Sequence, residues 1–258
     1  MSALDTLSTF YYGFLVTKDN QNIDIDEGSG PIFTGLTIGD YTFEEFCTEL
    51  QNALNLIGTL TYTVTKNRNT RMITISATGV FSLLTATGNH IGTGIFTLAG
   101  FTGTDNTGIS AYTSDVAAGF EYRPQLVLEG YVKPEDYEVK ETAVVSMSAN
   151  GQVQTVSFGE GQRMQCNIIG ATDLVGVKNE TFYENPNGIE NLRHFLRYLI
   201  TKSKIEFMPN IAARSTYYKL LLDSTKVSRD GTQYKIDNMD GAKNYYETGA
   251  LVFRKVIS

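Results

Sequence analysis

The chain has 258 residues, of which 41% are hydrophobic, with a mean hydropathy of −0.15 and a net charge of −7. That length suits one large domain or two ordinary ones, and the composition is that of a globular protein with enough apolar residues to bury a core. No apolar run approaches the roughly 18 residues of a membrane-spanning helix, and the acid excess argues against a domain that grips phosphate backbones.

The N-terminus, MSALDTLSTFYYGFLV, has no basic region before its apolar patch, so no signal peptide is expected. Residues 10–38 read as a strand, a turn at KDNQN and a second, Gly- and Pro-interrupted alternating strand. Thr42 to Ile57 is the clearest helix of the first half. Phe43, Phe46, Leu50, Ala53, Leu54 and Ile57 recur at spacings of three and four and form one apolar stripe. Thr42 with Glu45 spells a capping box, Glu44 and Glu45 face the positive end of the helix dipole, and Gly58 is expected to end the helix in a left-handed turn. A striped helix among strands is expected to lie across a sheet.

TYTVTK and RMITISA follow as a hairpin with Asn67, Arg68 and Asn69 between them, Tyr62 and Val64 pointing one way, as do Met72, Ile73 or Ile75 on the partner. Residues 80–101 predict a short helix or irregular turn before Gly100-Phe101, and GTDNTGISAYTSD a turn-rich exit. A seam between domains is expected at 117–123, which gives an acidic module over 1–116 and a second domain over 117–258. The first holds Lys18, Lys66, Arg68 and Arg71 against eleven acids, while the second is balanced. Solubility explains this excess; a sharper explanation is a surface that repels nucleic acid, as the wall of a DNA conduit should.

In the second half, Ala143–Ser148 and Val153–Phe158 form an expected hairpin around the tight turn NGQ at 150–152, and MQCNIIGATDLVGV another strand. A helix is expected over about 188–201, striped by Ile189, Leu192, Phe195, Leu196, Leu199 and Ile200, with Arg193, His194 and Arg197 on the other side. KIEFMPN reads as a strand stopped by Pro209, 216–224 as a brief third helix capped by Ser215, Asp230-Gly231 as a turn and ALVFRKVI as a closing strand. The fold class is α+β, mostly β: two units, each a mostly antiparallel sheet or sandwich with one principal amphipathic helix.

No set of residues spells a reaction, so no catalytic, cofactor-binding or metal site is assigned. His90 lies in a Gly-rich turn and His194 on a polar helix side, with no Cys, Asp or Glu at ligand spacing, so both read as exposed and unliganded. Gly92-Thr93-Gly94 lacks the third glycine of a dinucleotide fingerprint and reads as a flexible turn. Asp24, Asp26 and Glu27 could gather a hard cation, but the remaining positions of a calcium loop are missing and a solvated acidic loop is the simpler explanation. Asp105 and Asn106 read as a turn. Cys47 and Cys166 match no metal or redox spacing and read as small buried thiols, a bridge between them being the alternative. Arg193, Arg197 and Arg214 are either a solvated face or partners for acids on a neighbouring subunit. Trp is absent, which disfavours a sugar-binding face, whereas fifteen tyrosines suit protein–protein interfaces.

The order of a strand pair, a capped helix, Tyr62 to Thr65, Met72 to Ser76, Phe81 to Leu84, Thr87, Gly88, Gly100, Phe101, Asp105, Thr107, Gly108 and Ser110 to Asp115 resembles a module of virion structural proteins of tailed bacteriophages. The second half, with its helix, EFMP, Tyr/Leu segment ending in Asp-Ser-Thr and terminal Y-Y-E-T-G-x-L-x-F-R, resembles phage tail proteins as well, and this resemblance implies a ring-forming β-sandwich with a flanking helix. What the resemblance implies is assembly rather than catalysis: a component of the virion tail, made in the bacterial host cytoplasm and joining tube, distal tail or baseplate. The implied partners are further copies of itself in a ring, such as a hexamer, and other tail or baseplate proteins. DNA would be only passing cargo, and no membrane is involved. A receptor-binding or fibre-adaptor protein of the tail is the alternative.

Overall fold

Antiparallel pairing dominates the computed structural model, which describes residues 3–5, 8–128, 140–147, 153–161, 163–169, 171–172, 178–179, 182–183, 189–202, 204–222, 237–238, 245–248 and 250–256. The chain is α+β and mostly β. It divides into two units, which are not contiguous as the expected division is. The first comprises Thr9–Tyr122 and Thr201–Tyr217; the second comprises Met1–Ser8, Arg123–Ile200 and Tyr218–Ser258.

After β1 (Ala3–Asp5), which belongs to the second unit, the first unit runs through β2 (Thr9–Tyr12), β3 (Phe14–Val16), β4 (Asn22–Asp26), β5 (Pro31–Gly35), β6 (Gly39–Tyr41) and α1 (Phe43–Ile57). It continues with β7 (Tyr62–Asn67), β8 (Met72–Leu83), α2 (Phe96–Ala99), β9 (Asn106–Thr113) and β10 (Phe120–Tyr122). Helix α1 begins as its sequence dictates. The Thr42 hydroxyl accepts from the Glu45 amide at 3.3 Å, and the Glu45 carboxylate accepts from the Thr42 amide at 3.0 Å. Its buried stripe is Phe43, Phe46, Cys47, Leu50, Ala53 and Leu54, laid against β5, β6 and β7. Thr42→Ala removes one half of the box, and a loss of about 1 kcal/mol is expected in urea unfolding.

Gly58 corrects the expected ending. It is extended (φ −74°, ψ 153°), not left-handed, and its N–H closes the last turn on the Leu54 carbonyl at 3.0 Å. Crowding is the reason for glycine here, since a Cβ would lie 2.5 Å from the Tyr62 ring and 2.6 Å from Glu27 Oε1. The expected short helix before Gly100-Phe101 is α2. Gly100 ends it with φ +83°, and a Cβ there would meet the Val116 carbonyl oxygen at 2.2 Å.

The hairpin β7–β8 pairs Tyr62 with Ala77 through to Asn67 with Met72, and Tyr62, Val64, Ile73 and Ile75 are buried. Strand β8 runs past the expected hairpin to Leu83, and the segment expected as a turn-rich exit is β9 from Asn106 onward. β9 pairs with β8 at Thr74–Ser76 and, after a register jump, at Phe81 and Leu83. β4 takes the other side of β8 near Leu83, and β5 pairs with β4. Turn chemistry in NTGISAYT is thus overridden by long-range pairing.

The second unit contains β11 (Gln125–Leu128), β12 (Lys140–Met147), β13 (Val153–Gly161), β14 (Arg163–Ile169) and α3 (Ile189–Thr201). The chain then lends β15 (Ile205–Met208) to the first unit and returns with β16 (Tyr218–Leu222) and β17 (Ala250–Lys255). β1, β11, β14, β17 and β16 pair antiparallel in that order. The β12–β13 hairpin pairs Ala143 with Ser157 and Met147 with Val153; its turn at 150–152 lies outside the described residues, as does Asp230-Gly231. In α3, Leu192, Phe195, Leu196 and Leu199 are buried as expected, but Ile200 is exposed.

The expected third helix over 216–224 is corrected. Residues Tyr218–Leu222 are a strand, because pairing of Leu220–Leu222 with Phe253–Lys255 outweighs the helix preference of three leucines. Residues 223–224 lie outside the described ones.

Candidate functional site

The densest polar cluster lies inside the first unit, where β15 pairs with β2 (Glu206 opposite Tyr11). Glu206 is fully buried. Its Oε1 accepts from the Glu44 amide at 3.1 Å, and its Oε2 from Arg68 Nη2. Glu44 stands second in α1, so this carboxylate takes one of the orphan amides of the helix start, and its charge faces the favourable end of the dipole. Arg68 also donates from Nε to the Arg214 carbonyl at 2.9 Å and lies over the Tyr217 ring, 3.7 Å from its centroid.

Arg214 donates to the Tyr11 hydroxyl and pairs with Glu121 at 3.0 Å, while the Tyr11 hydroxyl donates to the Arg68 carbonyl. Arg71 closes the group with Nη1 on the Ala118 carbonyl at 3.0 Å. Lys66 meets Glu44 at 2.7 Å, and Lys204 meets Glu45 at 3.1 Å. Burial pushes the Glu206 carboxyl above its usual range, opposed by Arg68 and the Glu44 amide. Burial likewise raises Tyr11 against the hydrogen bond from Arg214. The cluster ties a segment more than 130 residues away in sequence to the hairpin turn and the start of α1. Arg214 is therefore buried within its own chain, which corrects its placing on a solvated or intersubunit face.

The acids before Gly28 do not converge. Asp24 is buried, against the expected solvated loop, and accepts from the His90 amide and from His90 Nδ1, each at 3.0 Å. Asp26 accepts from the Gly28 and Gly30 amides and shapes its own turn. Glu27 reaches the far side of α1, where the Thr59 and Leu60 amides and the Thr59 and Tyr62 hydroxyls donate to it. Burial would raise its carboxyl; those hydrogen bonds outweigh burial and hold it below the usual range. A depressed acid stabilises the fold above its unfolded value near 4.5, and that contribution is lost as pH falls through the folded value. Glu27→Gln is therefore expected to cost about 1–3 kcal/mol at neutral pH, with the gap to wild type narrowing in acid, as read from denaturation midpoints.

His90 is half-buried on Asp24 and stacked on Phe33 with centroids 4.0 Å apart, which corrects its exposed placing. Of Gly92-Thr93-Gly94, expected as a flexible turn, Gly92 and Thr93 lie in the single 3-10 turn Ile91–Thr93 and Gly94 ends it. Asp105 and Asn106, expected as a turn, are corrected: Asn106 opens β9, and Asp105 accepts from the Ala86 and Thr87 amides and the Thr87 hydroxyl of a separate turn. His194 is half-buried on α3, where burial and then Arg197 lower its proton affinity. Arg193 pairs with Glu190 on its own helix at 2.6 Å, both exposed. Cys47 and Cys166 are buried and not joined in a disulfide, and burial pushes the Cys47 thiol up to about 12, which leaves little thiolate. Among the described residues, no group of three His, Cys, Asp or Glu side chains is placed to hold a metal ion.

The surface of the first unit carries a different feature. Phe33 on β5, Ile91 in the 3-10 turn and Ile109 on β9 are each half or more exposed, as are Ile38, Leu56 and Val80. Sequence reasoning placed Phe33 in an alternating strand but took Ile109 for part of a turn. It missed Glu206, Glu121, Arg71 and Tyr11 as a cluster. The available signal was the lone acid in the apolar run IEFM, since a charge in a short buried strand needs a partner. No described helix is long and apolar enough to cross a membrane. Comparison with models of known protein families and with curated proteins finds no match.

Proposed function

We propose that the chain is a structural protein of a tailed-phage virion, a tail component of the tube, distal-tail or baseplate type that assembles as a ring of identical subunits and contacts neighbouring tail proteins. The sequence resemblance over Tyr62 to Asp115 supplies the family. The observation that supports the assembly reading is the exposure of Phe33, Ile91 and Ile109 on the loops and strands of 20–35 and 85–115, large apolar side chains that a neighbouring subunit would cover. The acidic first part then repels passing DNA instead of holding it.

Light scattering of the purified chain, alone and mixed with the other tail proteins, tests this. A closed oligomer, seen as a ring by negative-stain microscopy, is expected. A strict monomer that joins no tail protein overturns the proposal, and cell-surface or glycan binding by such a monomer would favour the receptor-binding alternative.

A further inference from the structure

An edge strand offers a row of backbone N–H and C=O groups to any other strand, and monomeric proteins block such rows with lysines, prolines, inward charges or short length. In the largest sheet of the first unit three strands have a single strand partner: β7, whose Tyr62 and Val64 amides are taken by Asn55 and Gln51 of α1, and two others. Among the described strands β5 pairs only with β4, and β9 pairs only with β8. Neither is blocked by charge, although β9 makes register shifts against β8 and holds Gly108 at φ +88°. Residues 28–39 and 106–114 contain no charged side chain, in a chain of net charge −7, and Pro31 stands only at the first position of β5. The acids that flank β9 are turned to internal tasks: Asp105 on the Ala86 and Thr87 amides, and Asp115 on the Thr102 amide at 2.7 Å. Thr107 to Ala111 are exposed without interruption. Each edge presents one large apolar side chain, Phe33 at 53% and Ile109 at 54% exposure.

Resting on the assembly reading above, we propose that the two edges are partners for each other across copies: β9 of one subunit pairs with β5 of the next. The occupant is a second copy of this chain for an electrostatic reason. Two acidic molecules repel wherever their carboxylates face, and these edges are where the same chain offers two charge-free strands at once. Because the surfaces differ, the contact is heterologous, and repeated head to tail it forms a ring where the rotation between copies closes. The backbone rows supply the pairing, and Phe33 and Ile109 are covered by it.

The test uses the full chain. Ile109→Lys blocks β9, Phe33→Lys blocks β5, and Thr107→Lys repeats the first block without removing an apolar side chain; circular dichroism confirms that each variant is folded. Each variant is expected to weaken self-association at least tenfold by light scattering. Mixing I109K with F33K is expected to restore a 1:1 dimer and nothing larger, since each retains the edge the other lacks. If F33K assembles normally while I109K does not, the contact is not β9 to β5. If all three folded variants assemble like wild type, the edges are not the interface, although the ring reading survives. A wild type that stays monomeric removes the pairing, and one that also joins no other tail protein removes both.

Discussion

Glu206→Ala is expected to cost about 3–5 kcal/mol, because it takes from the largely buried Arg68 guanidinium its nearer countercharge, leaving only Glu44 at 3.7 Å, and leaves an amide of the α1 start without an acceptor. The carboxylate it removes is fully buried, so water cannot replace it. Glu206→Gln should cost less, since an amide oxygen can still receive the Glu44 N–H. The buried pair need not be a net gain over an apolar one, so the double variant Glu206→Met with Arg68→Met should recover part of the loss seen in either single change, the signature of coupling in a double-mutant cycle. The pH dependence has a definite sign. The folded-state carboxyl lies above its ordinary value of 4.5, so the folded chain binds this proton before the unfolded chain does, and wild type gains on E206Q as pH falls through that window. Hydrogen exchange at the first turn of α1 is the local readout: protection there should fall in Glu206→Ala more than in Thr42→Ala, although Thr42 is the neighbour in sequence.

What could be read from sequence follows the range of the interactions. Helix α1 was legible because its cap, stripe and first-turn acids all lie within sixteen residues, and the β7–β8 hairpin because its alternation is local. Where α1 ends was legible too, but the extended conformation of Gly58 was not, since glycine is there to make room for Tyr62 and Glu27, a fact of packing that no local pattern records. β9 was hidden by turn-forming residues, and β16 by three leucines that favour a helix; in both, pairing with a distant strand decided the outcome. The polar cluster was the least legible part. Arg68 and Glu206 are 138 residues apart, and Asp24 and His90 are 66 apart, so neither pair leaves a spacing to recognise. The uncharged windows at 28–39 and 106–114 were in plain view, but they acquire meaning only when both prove to be edges of one sheet.

Phe43→Ala is the second large effect expected, about 3–5 kcal/mol in unfolding. Phe43 is fully buried at the first position of α1 and joins two parts of the first unit. On its apolar side it stacks on Phe14 with centroids 5.1 Å apart and planes 12° from parallel, and Phe14 in turn packs on Phe46 at 5.3 Å. On its polar side its ring meets the edge of Tyr11 at 6.1 Å, and the Arg68 guanidinium lies 5.9 Å from its centroid. Removing the ring therefore opens a cavity and also withdraws one wall of the charge cluster, so its effect should not add simply to that of Glu206→Ala. Phe43→Leu fills most of the space without the aromatic face, and about half the loss is expected. If F43L proves as damaging as F43A, the ring's contacts with Tyr11 and Arg68 carry the stability. If F43L is nearly neutral, filled volume carries it, and the cluster stands by its own ion pairs.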